Sequence, residues 1–222
     1  LKVFYLDFEN ITRFMLDIAA LGGVFASRGR ASEIAAYYEG RVKRVREAAA
    51  PVAPGKRPSV LMLYHSEGTG TFNVPPSEWM QTLLVETAGG SPLWKAWASG
   101  KGWTKVGFEQ IAASDPDWVF IISYFGDAPE VVGRLYGNKT WGALRAARLK
   151  RLRPFPADYY SWDQPDPRWI LGLLFLAKTL HPGRFPDLDL AGEVRSFFRE
   201  MYGLDDGLFE RAVRPMVVGL TE

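Results

Sequence analysis

Residues 31–50 place Ile34, Tyr38, Val42, Val45 and Ala49 at helical spacing, with Arg41, Lys43, Arg44 and Glu47 between them. That is the pattern of a helix with one buried stripe. Ahead of it, residues 2–8 read as a strand. Glu9-Asn10 then opens a helix to about Leu21 that Gly22-Gly23 ends. Prolines 51, 54 and 58 with Gly55 make residues 51–58 a linker. From Ser59 onward, apolar runs too brief for helices predict strands over 59–64, 103–106, 118–123 and 150–155. Between and after them, helical patterns cover 77–88, the segment starting at Phe108, and 129–136, 140–147, 170–180, 190–202 and 207–218. Ser77 caps the first of these and Gly89-Gly90 closes it. Residues 65–76 form a Gly/Thr-rich loop. Strands separated by helices predict an α/β fold: a Rossmann-like, mainly parallel sheet flanked by helices and preceded by a long connecting helix.

Composition narrows the possibilities. A chain of 222 residues can bury one sizeable α/β domain, with or without an appendage. A formal charge of +2 gives no whole-protein field that implies nucleic acid. The basic clusters at 41–46 and 145–153 read as solvated helix faces and strand ends. With no cysteine, disulfides, cysteine-zinc sites and thiol nucleophiles are excluded. No apolar run approaches the roughly 20 residues of a membrane span. The chain opens on Leu1 within a strand-like segment, which reads as a truncated product, so a missing signal segment carries little weight.

Two motifs stand out. Val106-Gly107-Phe108-Glu109-Gln110-Ile111-Ala112-Ala113-Ser114-Asp115-Pro116-Asp117 runs into Trp118-Val119-Phe120-Ile121-Ile122-Ser123. Pro116 disfavours helical geometry at Asp115, so a short helix breaks and a doubly covered strand follows. Downstream, Ser161-Trp162-Asp163-Gln164-Pro165-Asp166-Pro167-Arg168-Trp169 is a loop that launches an apolar helix. Together they resemble the C-terminal lobe of the substrate-binding proteins that serve ABC importers of iron-siderophores, haem and cobalamin. The resemblance implies a binding protein without catalysis or cofactor, holding its ligand in a cleft between two lobes. It implies a ferric siderophore as cargo, with haem and cobalamin as close alternatives and molybdate or tungstate behind them. It implies an ABC permease as partner and a periplasmic or extracytoplasmic location, with or without a lipid anchor. Residues 1–28 would be a remnant of the N-terminal lobe, 29–57 the interlobe helix and linker, and 58–222 the C-terminal lobe. A lobe left uncovered in this way is expected to self-associate.

Ligands of open α/β sheets collect beyond the carboxyl ends of strands. That places Tyr64, His65, Thr69, Thr71, Tyr124, Tyr160 and Trp162 at the expected site, with Arg168 nearby. Aromatic rings with a few hydroxyls suit a bulky, partly apolar chelate better than a small oxyanion. His65 can ligate haem iron or a bare metal, or be a hydrogen-bonded loop histidine; His181 reads as a helix-end cap. Two histidines so far apart do not make a site for a naked metal ion. Arg168 either meets an anionic ligand or pairs with Asp163 or Asp166. For permease docking, the resemblance points to acidic side chains, with Glu67, Glu78, Asp127 and Glu130 as candidates. Gly68-Thr69-Gly70-Thr71 lacks the Lys-Ser/Thr of a phosphate loop, and Ser66 does not complete a nucleophile elbow. The rival reading is a Rossmann-like cofactor- or metal-dependent enzyme; a pure interaction domain is a third.

Overall fold

The computed structural model describes residues 3–98 and 100–220. Two helices, α1 (Ile11–Val24) and α2 (Arg28–Ala49), come first. The sheet follows, built from β1 (Ser59–Ser66), β2 (Thr71–Val74), β3 (Ser91–Pro92), β4 (Thr104–Val106), β5 (Trp118–Ile122) and β6 (Leu152–Pro154). Its order is β4-β2-β1-β5-β6. β1 runs parallel to β5, and β5 to β6. The α/β expectation holds, but the sheet is mixed. β2 folds back antiparallel on the end of β1 and pairs antiparallel with β4, while β3 lies parallel to the start of β1.

The central strands explain themselves. Val60 to Leu63 and Val119 to Ile122 are all fully buried, because helices cover both faces and no position along them needs to be polar. On one face lies α8 (Trp169–Leu180), ten of whose residues are buried. Its Phe175 meets Phe120 of β5 and Phe155 edge-on at 5.7 Å each. α3 (Met80–Thr87) and α9 (Leu190–Tyr202) pack beside α8. On the other face, α5 (Ala128–Gly137) packs on β5 and β6. Preceding β5 is α4 (Phe108–Ser114), which ends at Asp115 in the left-handed conformation (φ 40°), the break expected before Pro116.

The leading helices share this core. Phe14 of α1 lies 4.9 Å from Tyr38 of α2 and 5.5 Å from Trp169 of α8. Gly22 allows α1 and α2 to cross closely, since a Cβ there would collide with that of Ala31. α2 runs from Arg28 through Ala49, close to the helix read from its apolar stripe.

Several expectations are corrected. Residues 3–8 are not a strand; among the described residues no strand lies alongside to satisfy their backbone, and Val3, Phe4 and Tyr5 are exposed. Lys2, the first residue of that expected strand, lies outside the described residues. α1 runs through Gly22-Gly23 and ends against Ala26, which takes positive φ (53°). Ser77 caps nothing, because α3 begins only after Trp79. Of the expected loop 65–76, residues 65–66 and 71–74 are strand: they belong to the β1–β2 hairpin, which turns through Gly70 at φ 63°. The segment 140–147 is divided between two single turns, Lys139–Gly142 and Arg145–Arg148, and the 207–218 tail winds irregularly.

Candidate functional site

A cleft of about 590 Å³ opens beyond the carboxyl ends of the parallel strands. Three connections wall it. The turn after β5 leads into α5, which Asp127 caps: its carboxylate accepts from the Glu130 N–H at 2.9 Å. The loop between β6 and α8 supplies residues 157–161, tied down by bridges from Ala157 to Ser161 and to Val218. The segment before α3 supplies Trp79.

Aromatic rings dominate the wall, and their packing is specific. Tyr64 and Tyr124 stack at 4.8 Å, 29° from parallel. Trp103 lies 5.1 Å from Tyr64 and 6.1 Å from Tyr124, and Trp79 stands edge-on to Trp103 at 5.8 Å. Trp79, Trp103 and Tyr124 line the cleft; Tyr64 supports them from behind.

A buried carboxylate holds this platform. Asp163 has no exposed surface. It accepts from the Tyr124 hydroxyl at 2.6 Å, from the Gln81 amide at 2.9 Å and from the Ser161 hydroxyl. Three segments distant in sequence therefore converge on one side chain. Burial pushes the Asp163 carboxyl up, and its three donors pull it back. Burial also raises the Tyr124 phenol, and the neighbouring Asp163 charge raises it further. Tyr124 is thus a neutral phenol whose hydroxyl is spent inward; it offers the cleft its ring.

Of the eight residues predicted to meet ligand, Tyr124 and Tyr160 line the cleft and Tyr64 lies one ring behind. The rest are elsewhere. Trp162 is fully buried, its indole N–H donating to Asp158 at 3.1 Å. Arg168 is buried too, 2.8 Å from Asp158 and 3.0 Å from Asp166, with the rings of Tyr160, Phe198 and Tyr202 within 5.5 Å. It pairs with Asp166, as one reading of the sequence had it, and with Asp158, but not with Asp163. Burial pushes the Asp158 carboxyl up against the Arg168 charge; burial lowers Arg168, but the two carboxylates hold it above its usual value. Trp162 and Arg168 therefore brace the cleft loop from behind. His65 is buried in the hairpin against Phe72, and its Nδ1 lies 4.0 Å from Glu67 without a hydrogen-bond partner. Thr69 and Thr71 hydrogen-bond each other at 2.8 Å at the hairpin tip, away from the cleft wall. His181 meets the Gly89 carbonyl at 3.2 Å. Among the described residues, no three His, Asp or Glu side chains are placed to hold a metal ion.

Trp79, Trp103, Gln81 and Glu9 line the cleft without having been singled out. A signal existed for the two tryptophans. Each follows turn-forming sequence, Pro75-Pro76-Ser77-Glu78-Trp79 and Gly100-Lys101-Gly102-Trp103, at the very start of an expected helix or strand, where a large ring can face out of the sheet edge as readily as into the core.

A mixed α/β sheet whose carboxyl edge carries an aromatic cleft, its buried polar groups spent on holding rings, has the layout of a binding protein. Sequence comparison agrees: the chain belongs to the periplasmic binding protein family, whose profile matches residues 5–159. It is 29% identical over 121 residues to the molybdate-binding protein MolA of Haemophilus influenzae, covering 54% of this chain and 33% of that one. Among solved structures, an ABC transporter solute-binding protein from Sulfurospirillum deleyianum superposes with a TM-score of 0.74 at 20% identity, over 90% of this chain and 61% of that one. CeuE of Helicobacter pylori with Ni(II) bound superposes with a TM-score of 0.71 at 18% identity, over 94% and 64%. These structures share the fold, and this chain spans about three-fifths of their length and a third of MolA's. The family and these neighbours are solute-binding proteins, not enzymes.

Proposed function

We propose that this chain is the C-terminal lobe, with the interlobe helix α2, of an extracytoplasmic solute receptor that delivers a metal chelate to an ABC permease. Residues 1–28 would belong to the first lobe, 29–57 to the connection and 58–222 to the second lobe. The observation that carries this reading is the platform of Tyr64, Tyr124, Trp103 and Trp79 fixed from below by Asp163. Flat, rigid rings bury a large ligand surface at little entropic cost. A bulky chelate such as a ferric siderophore, haem or cobalamin fits that chemistry. The ligand would be held as the lobes close, and exposed carboxylates such as Glu78 and Glu130 would face basic groups of the permease. The exposed Val3, Phe4, Tyr5 and Phe25 support a covering first lobe and, where it is missing, self-association.

The test is a tryptophan-fluorescence titration of the full-length gene product with a ferric trihydroxamate, haemin and cobalamin. Saturable quenching by one of them, lost in Trp103→Ala, is expected. Failure of all three to bind would remove the metal-chelate reading.

A further inference from the structure

Resting on that reading, we infer that the cargo face met by this lobe is cationic or rich in hydrogen-bond donors, and that the cleft rejects free oxyanions. Four independent features carry this.

The first is charge. Among the described residues, no Lys, Arg or His lines the cleft, whereas Glu9, Asp127 and Asp158 do. Asp158 is neutralised by Arg168, but neither Glu9 nor Asp127 pairs with a cation among the described residues. In a concave site with no cation on its described wall, two unmatched carboxylates, both exposed, set the sign of the local potential.

The second is that the natural anion cradle is already filled. The turn beyond β5, at the start of α5, is where backbone N–H groups would receive an oxyanion. Here the protein's own side chains occupy it: Glu67 stands against Gly126, and the Gly126 N–H is taken by Ser123. The Ser123 hydroxyl donates to the Glu67 carboxylate and accepts from the Gly126 N–H at 3.1 Å. A Cβ on Gly126 would come within 2.9 Å of the Glu67 carboxylate, so the glycine makes room for it. Asp127 takes the Glu130 N–H, and Pro129 has none to offer.

Thirdly, Gln81 is left with an open acceptor. Its amide nitrogen is committed to Asp163 at 2.9 Å, which fixes the orientation of the group. Its buried Oε1 has no partner, and Gln81 is a cleft residue. An unsatisfied buried acceptor is costly, and a donor on the ligand would relieve it.

Finally, the faces of Trp79, Trp103 and Tyr124 are electron-rich and favour a cation over an anion. Similarity to a molybdate-binding protein therefore does not carry its ligand across to this cleft.

The experiment compares four probes on the full-length gene product by fluorescence titration and calorimetry: molybdate, and cationic trihydroxamate, neutral trihydroxamate and trianionic tris-catecholate complexes of iron(III). The cationic chelate is expected to bind at least about tenfold more tightly than the trianionic one, with molybdate causing no saturable change. In the double variant Glu9→Gln, Asp127→Asn, that preference should shrink by about tenfold; asparagine keeps the helix cap, and circular dichroism verifies the fold. Tightest binding by the tris-catecholate or molybdate, or a preference unchanged in the double variant, overturns the inference and leaves the receptor reading standing. Binding by none of the four, nor by haemin or cobalamin, removes the metal-chelate reading, and the inference with it.

Discussion

The Tyr124 hydroxyl donates to the Asp163 carboxylate at 2.6 Å across 39 residues of sequence. This one bond joins the end of β5 to the loop that launches α8, and it turns the phenol inward so that its ring faces the cleft. Tyr124→Phe keeps the ring and removes the donor. It should cost about 2 kcal/mol in urea denaturation, the value of a hydrogen bond to a charged group. Chelate affinity should change little, because stacking survives. Tyr124→Ala should lose both.

Trp162 and Trp103 should separate stability from binding. Trp162→Ala removes a wholly buried ring and should cost about 3–5 kcal/mol by denaturant melts. Its smaller-volume variant Trp162→Phe should retain chelate binding. Trp103→Ala removes a ring at the cleft surface and should weaken binding about tenfold or more by fluorescence or calorimetry, with a smaller stability loss.

Gly172 lies where α8 crosses the cleft loop. A Cβ there would sit well inside contact distance of the Trp162 carbonyl oxygen and 3.1 Å from its carbon. The obstacle is backbone, which cannot rotate away. Gly172→Ala should therefore destabilise by about 1–3 kcal/mol despite its better helix propensity, read as a lowered thermal midpoint.

Two aspartates should bend the pH profile of stability in opposite directions. Burial works against the charge of Asp117, but hydrogen bonds from the Ser59 N–H and hydroxyl and from Arg145 hold its pKa below the ordinary value of 3.8. Its stabilisation is complete above 3.8 and is lost as pH falls through the lower folded value. Asp117→Asn should flatten that acid limb. Asp163, raised by burial, works the other way: its contribution is present below the ordinary carboxylate pKa and declines as pH rises through the raised one. Asp163→Asn should remove that decline. Urea melts between about pH 3 and 8 test both.

Read alone, the amino-acid order was enough to specify the elements whose causes are local. The Pro116 break, the doubly covered strands β1 and β5, the stripe of α2 and the apolar α8 all follow from sterics and burial acting within a few residues. The family resemblance was legible for the same reason, since its motifs are such steps. Tertiary structure decided the rest. Whether residues 3–8 formed a strand depended on a neighbour to pair with, and none of the described residues provides one. Whether Trp162 or Trp103 met the cleft depended on which way each segment turned over the sheet edge. Trp162 reads as loop and Trp103 as the start of a strand, and neither assignment says which way the ring points. Asp158, Arg168 and α8 together bury one, while Tyr64 and Tyr124 prop up the other. Tyr64 and Tyr124 lie 39 and 21 residues from Trp103, and only the closing of the sheet and helices brings them into contact.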